Sequence, residues 1–402
     1  MILRGVPVVM YHTVGRPIDN WSWAYLTVPW TTFEDHLKCL RRYGYQSIDL
    51  AQLYSYMMGR ATIPDASVVL TFDDGYVDNW TYAATLLEKY EFTATVYVNP
   101  DFVDPREIVR PTLKDVWAGR TTEDQLTSRG FMSWAELRKA SADGILSVQS
   151  HLMTHTWYPV CNDVVDFHHP GDAYYWLEWN SYPERKPFYL ENLGRNSVPW
   201  GAPVYRHAKS MSAARYFPDE GEGEELTDFV VSAGGEAFFA EKEWKRALRE
   251  RLLTYRTAHP HRGRRETDKE RRGRMEHELT ESRKRIEDEL GVDVPFLAWP
   301  GGGYDSEAME ASLCYYTAVT LSSRDCSNRR NRPGEDPRKV KRMGVPHLEH
   351  RGGIQYPGGK YLRLCLDEFR GVPKARRRRR AYKALLKTAS LISPNKGVLF
   401  QS

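Results

Sequence analysis

"VVLTFDDGYVDNW" (residues 68–80) decides how this chain is read. An apolar, β-branched run stops at two adjacent acids, a glycine and a tyrosine, and Asp73-Asp74 is the one Asp-Asp pair among 402 residues. On a strand, neighbouring side chains point to opposite faces, so the two acids serve one site only where the strand ends and the chain turns. Gly75 supplies that turn. Two carboxylates this close repel one another unless a cation or a shared proton relieves them. A divalent ion would do so, with one acid as ligand and the other left free as a base. In barrels of alternating strands and helices, active sites lie at the C-terminal ends of strands, where this pair falls. The plain alternative for the pair alone is an acidic turn.

Working outward, six further short β-rich runs stand at 6–12, 93–99, 145–150, 295–300, 316–321 and 340–345. Helical patterns separate several of them. Phe33, Leu37 and Leu40 mark one, before a stop at Gly44; "NWTYAATLLEKYE" marks another. Ser133 and Glu136 mark a third, with the spacing of a capping box. This alternation predicts an α/β fold with a largely parallel sheet or barrel. It breaks between about 157 and 240, a stretch rich in Pro, Gly, Trp and Tyr without periodicity, read as a long insertion. Residues 241–290 read as charged helix with a narrow buried stripe at Leu279, Ser282, Ile286 and Leu290, stopped by Gly291.

"QSHLMTHTW" follows the strand at 145–150. His151 and His155 are the only histidines four apart among twelve, and on a helical turn that spacing puts both imidazoles on one face. Joined to the Asp-Asp turn they make two histidines, one carboxylate and a spare base. A hydrolytic metal site fits this set, and so does a non-haem iron triad. The spare acid favours hydrolysis, because an activated water needs a proton acceptor.

"TFDDGY" (71–76), "SHLMTHT" (150–156) and "FLAWPGGGYD" (296–305), in this order, resemble the polysaccharide deacetylase family, also called the NodB-homology or carbohydrate esterase family 4 domain. "VVMYHTV" (8–14) and "ELTESRKRIEDELG" are also similar to members. The resemblance implies a distorted (β/α) barrel of the NodB-homology type, with the insertion between the second and third motifs. It divides the chain into a first part of the barrel (1–156), an insertion or substrate lid (157–270), a second part of the barrel (271–350) and a basic tail (351–402). It implies removal of N-acetyl groups from an amino sugar of a glycan, or of a lipid- or nucleotide-linked sugar. Asp73 matches the catalytic base and Asp74, His151 and His155 the metal ligands, with zinc expected and cobalt or nickel as alternatives. His347 is the candidate general acid. His12, Tyr76, Trp299, Pro300, Gly302 and Tyr304 are candidate substrate contacts, the backbone at Gly302–Tyr304 helping to hold the oxyanion. Many members carry an Arg two residues before the proline of the third motif. Ala298 stands there, which leaves the group that orients Asp73 unassigned.

Composition fits a water-soluble globular protein, 41% hydrophobic and 27% charged, and a net charge of +4 gives no reason to expect a specific nucleic-acid partner. Five scattered cysteines without a CxxC spacing indicate neither a zinc ribbon nor a disulfide framework. No signal peptide or membrane-spanning run is read, so a cytoplasmic location, or one at the cytoplasmic face of a membrane, is expected. Nine basic residues and no acids between Arg370 and Lys387, with Tyr382, Leu385, Leu386 and Ala389 on one helical face, suggest contact with an anionic membrane surface; a solvated, partly disordered tail is the plain alternative and RNA contact a third. Insertion aromatics such as Trp157, Trp176, Trp179 and Trp200 would stack on sugar or form the insertion's own core. Three rival functions follow: an inactive glycan-binding module of the same fold, a metal-dependent hydrolase of a non-carbohydrate amide, and a membrane adaptor acting through the basic tail.

Overall fold

The seven expected strands all pair into one parallel sheet. They are β1 (Val8–Tyr11), β2 (Ser67–Phe72), β3 (Ala94–Val98), β4 (Leu146–Ser150), β5 (Phe296–Ala298) and β6 (Ala318–Leu321). The seventh is split into β7 (Lys339–Lys341) and β8 (Met343–Gly344), with Arg342 between them. This computed structural model describes residues 4–193, 197–260, 263–322, 330–350 and 353–392.

The sheet order is β7-β6-β5-β4-β3-β2-β1-β8. β7 and β8 therefore lie at opposite edges, yet one residue separates them in the chain. That is satisfied when the sheet curls until its edges meet, and the result is a nearly closed parallel barrel. Asn331 fills the seam: its amide donates to the carbonyls of Val6 (2.9 Å) and Lys341 (2.8 Å), and its Oδ1 accepts from the Lys341 amide at 2.9 Å. Unpaired edge groups are satisfied there without a further strand.

The period-two rule sorts each strand. Val8, Val69, Tyr97, Phe296, Ala298, Ala318 and Val340 form one buried cluster with Leu50, Leu53 and Met57. Those three belong to a helix, Leu50–Met57, that plugs the N-terminal mouth of the barrel. The alternate residues, among them Val9, Leu70, Phe72, Val96, Val148, Leu297 and Val319, pack outward. They meet Phe33, Leu37 and Leu40 of α1 (Trp30–Arg42), Leu137 and Ala140 of α2 (Trp134–Ala142), Met275, Leu279 and Ile286 of α3 (Asp268–Leu290), and Leu362 and Leu366 of α4 (Gly359–Phe369). Each such leucine contributes about 1.5–3 kcal/mol by leaving water. The Ser133–Glu136 capping box forms as expected, and Gly291 ends α3 in the left-handed region at φ 65°. On α3 the stripe is buried at Leu279, Ser282 and Ile286, while Leu290 is only half-buried.

Two expectations are corrected. The stretch read as aperiodic holds an 11-residue strand, Trp157–Phe167, paired antiparallel with Pro203–Lys209. Much of that strand is half-buried on both faces, so no apolar alternation is written into it. Residues 241–290 are not one helix but two, Trp244–Ala258 and α3, broken around the turn that pairs Arg264 and Arg265 with Phe217 and Tyr216. The basic tail forms the expected helix, α5 (Ala375–Ile392), which packs on α4 through Arg379 and Tyr382 and leaves Leu385 facing outward at 66% exposure. Among the described residues no helix is long and apolar enough to cross a membrane.

Candidate metal centre

β2 stops at Phe72, and Asp73 closes the ladder by donating its amide to the Tyr11 carbonyl at 3.0 Å. Asp74 and Gly75 then turn with φ of 72° and 69°. A Cβ on Gly75 would lie 2.9 Å from Val98 Cγ1, so this tight turn needs glycine for both conformation and space. Two strands away, His151 follows β4 and donates its amide to the Val98 carbonyl at 2.9 Å.

The turn and the loop bring three side chains to one point. Asp74 Oδ1 lies 3.2 Å from His151 Nε2 and 3.2 Å from His155 Nε2. The three candidate ligand atoms all fall within 4.8 Å of one another. His151 Nδ1 sits 2.9 Å from the Ala298 carbonyl, which fixes a proton on Nδ1 and presents the Nε2 lone pair inward. Asp74 Oδ1 is buried without a hydrogen bond among the described residues. A divalent cation would satisfy that oxygen and both lone pairs at once, so the residues fit a metal ion. Burial pushes the Asp74 carboxyl up, but the two imidazoles outweigh it and hold it well below the usual carboxylate range.

The histidine pair does not sit on a helical turn. Residues 151–156 form a loop in which Leu152 and His155 are left-handed, with φ of 61° and 44°. Tertiary contacts impose this backbone. The Glu278 carboxylate, on α3, accepts from the amides of Met153 (2.9 Å) and Thr154 (3.1 Å) and from the Thr154 hydroxyl. Asn99 donates to the carbonyls of His151 and Leu152. Lys186, from the insertion and 3% exposed, donates to the Thr154 carbonyl at 3.1 Å and pairs with Asp101 at 2.7 Å.

Asp73 belongs to a second pairing. Arg342 Nη1 donates to its Oδ1 at 2.6 Å, both side chains being almost fully buried. The guanidinium carbon also stands 5.5 Å from the Tyr97 ring centroid. Burial raises the Asp73 carboxyl, yet Arg342, His151 and His12 offset it and leave it below its ordinary value. Asp73 is thus an ionised acid held by a cation that the third motif does not supply. Motif position Ala298 instead lends its carbonyl to His151.

His12 ends β1 in the same barrel mouth. Burial lowers its pKa, opposed by Asp74 and Asp73 and reinforced by Arg342 and His151. Asn79 Nδ2 donates to the His12 carbonyl at 2.8 Å from a π-helical turn, Asn79–Ala84, a geometry enriched at functional sites. Tyr76 stacks on Phe131 and meets Trp21 edge-on, and its phenol is pushed well up by burial and then by Asp74. Trp299 and Pro300 are buried; Trp299 packs on Tyr304 with ring centroids 5.1 Å apart, and Gly302 is left-handed at φ 71°. His347 is different. Its side chain is 42% exposed, 3.7 Å from Glu349, and it lines a groove shared with α4 and α5.

Beside Asp74 and His155 lies a chamber of about 10 Å³ walled by Trp23, Tyr76, Phe102, Phe131, Trp179 and Tyr189. That is room for about one water or ion. Trp179 and Tyr189 come from the insertion. Arg342, Asn99, Glu278, Lys186, Trp23 and Tyr189 were not singled out from sequence; among them, only Arg342 carried a local signal, a cation on the inward parity of a buried strand.

Asp78 is buried beside this site, and burial pushes its carboxyl up to about 8. Its folded pKa exceeds the unfolded one, so its contribution to stability is full below the ordinary value near 4 and is lost as pH rises through about 8. Asp78→Asn should therefore raise the thermal midpoint at pH 8 and leave it unchanged at pH 3.5. Equal midpoints at pH 8 would contradict the neutral-acid assignment.

A polysaccharide deacetylase family model matches residues 60–178, the stretch holding Asp73, Asp74, His151 and His155. Over this stretch the chain matches the polysaccharide deacetylase family. Over 94 residues the chain is 36% identical to YxkH of Bacillus subtilis strain 168, named as a polysaccharide deacetylase, covering 23% of this chain and 31% of YxkH. Over 155 residues it is 28% identical to the poly-beta-1,6-N-acetyl-D-glucosamine N-deacetylase of Escherichia coli K12, covering 38% of this chain and 21% of that protein. The matched stretch thus spans less than a third of either relative. A solved de-N-acetylase from Aggregatibacter actinomycetemcomitans aligns with a TM-score of 0.48 at 15% identity, over 84% of this chain and 94% of that one.

Proposed function

We propose that this chain is a metal-dependent hydrolase that removes N-acetyl groups from the amino sugars of a glycan. One observation carries the reading: Asp74, His151 and His155 converge on a single point, while the adjacent Asp73 is ionised and paired with Arg342 instead. Two imidazoles and a carboxylate favour zinc over harder ions, with cobalt or nickel as alternatives. An ion held there would supply Lewis acidity to a water and to the acyl oxygen.

The chain's own residues do the rest. Asp73 accepts the proton of the attacking water at a carboxylate oxygen, and Arg342 keeps that carboxylate charged and aimed. The departing amine needs a proton. His12, at the end of β1 in the barrel mouth, is the proposed carrier, and we prefer it to His347, which is 42% exposed and faces Glu349 and the groove at α5. The aromatic chamber excludes bulk water from the reacting carbon. Because the Escherichia coli relative is named for a β-1,6-linked N-acetylglucosamine polymer, N-acetylglucosamine is the proposed sugar.

The test is acetate and free-amine release from N-acetylglucosamine oligomers by the zinc-loaded protein, beside an Asp73→Asn control. Release from the wild type alone is expected. No release from any N-acetylated sugar at full metal occupancy would favour the inactive glycan-binding reading, and release only from a non-sugar amide would favour the amide-hydrolase rival.

The partner reading for the tail also stands as a proposal. Arg377, Arg378 and Arg380 on α5 are exposed and have no ion pair among the described residues. The protein should sediment with phosphatidylglycerol-containing vesicles and not with pure phosphatidylcholine, and charge reversal at these three positions should abolish it. Equal sedimentation with both would exclude an electrostatic membrane contact.

A further inference from the structure

Of the aromatic side chains in the insertion, Trp176 and Trp179 are core, each 2% exposed. Tyr174, Tyr175, Tyr189 and Trp200 are only half-buried and line a separate cleft of about 230 Å³. Small-molecule sites begin at roughly 300 Å³, so this one suits a single ring more than a bulky ligand. Tyr189 walls both this cleft and the chamber beside Asp74 and His155, so one ring separates the two spaces. Tyr175 and Tyr189 meet with centroids 5.1 Å apart.

The walls are held in place. The Tyr174 hydroxyl donates to Asp166 at 3.1 Å. Glu178 accepts from Arg185 at 3.1 Å and from the Ser197 amide at 3.3 Å. Asn192 Nδ2 donates to the Phe188 carbonyl at 2.9 Å, and its Oδ1 has no hydrogen bond among the described residues. Asp172 and Glu178 line the cleft; Asp172 pairs with His168 at 2.7 Å and Glu178 with Arg185. Half-exposed ring faces bordered by amides and carboxylates suit a neutral polyhydroxylated ring, whose C–H face lies on an aromatic and whose hydroxyls meet the polar edges.

We infer that this cleft is an accessory subsite that binds a neutral N-acetylhexosamine unit of the same glycan chain, away from the unit being deacetylated. The inference rests on the proposed glycan deacetylase reading. It makes the insertion a gauge of chain length, so that oligomers long enough to bridge the cleft and the metal centre are preferred.

The test uses the full-length protein and β-1,6-linked N-acetylglucosamine oligomers of one to six units, with binding measured by calorimetry on Asp73→Asn and kcat/KM on the active protein. Affinity and kcat/KM should rise with length and then level off. Trp200→Ala removes a wall, and Asn192→Trp fills the cleft from an exposed position. Each should cancel about tenfold of that rise, with kcat/KM on the dimer changed less than about twofold. Trp200 also packs on His168 and Phe239, so if Trp200→Ala lowers the thermal midpoint, Asn192→Trp decides. A flat length dependence in the wild type, or an undiminished one in Asn192→Trp, overturns the subsite. Length-dependent binding that Asn192→Trp removes, without acetate release from any oligomer, would support the subsite and count against the deacetylase reading instead.

Discussion

Asp73→Asn should lower acetate release by about 10²–10⁴-fold while the protein keeps its full complement of metal. The amide is isosteric but takes no proton from the attacking water. Metal should stay, because the ligand of the adjacent pair is Asp74, whose Oδ1 stands 3.2 Å from each imidazole, whereas Asp73 faces Arg342. His151→Ala should behave oppositely, losing metal and turnover together. Elemental analysis of both variants beside their rates separates the roles. Full activity in Asp73→Asn, or metal loss from it, would reverse the assignment of the two acids.

The second large effect belongs to Arg342. Its guanidinium is about as buried as the carboxylate it holds, so Arg342→Ala leaves an uncompensated charge in the barrel mouth. Breaking a buried pair in this way costs about 3–5 kcal/mol. Chemical denaturation should show the loss directly. The pH profile adds a readout that simple destabilisation would not move. With the cation gone, only His151 and His12 still oppose the effect of burial on the Asp73 carboxyl, so the acid limb of the rate profile should shift to higher pH. Arg342→Lys keeps the charge without the planar fork and should fall between the two. An unshifted acid limb in Arg342→Ala would mean that Arg342 braces the barrel without acting on the base.

How much of this was legible beforehand depended on distance along the chain. The Asp-Asp turn and the histidine pair are short-range patterns at strand ends, and they name the triad before any coordinates. Arg342 could not be assigned to Asp73 in that way, since 269 positions separate them and only barrel closure joins them. A weak sign existed, because Val340 and Arg342 share the inward parity of a buried strand. The loop from His151 to His155 shows the converse. The spacing singled out both histidines, which the fold brings to Asp74, but their loop's left-handed backbone answers to Glu278, more than a hundred residues away. The strand Trp157–Phe167 escaped notice because half-burial on both sides erases the alternation on which strand reading depends.

By itself the sequence determined the alternating strands and helices, the positions where acids and imidazoles end those strands, and the deacetylase resemblance, because each is written in period-two or turn chemistry within a few residues. The tertiary structure decided which cation holds Asp73, what backbone presents His155, and which insertion rings wall the metal site. Those depend on the sheet curling until its first and last strands touch, and on an insertion folding back over the mouth, contacts whose partners lie too far apart in the chain for any local pattern to encode.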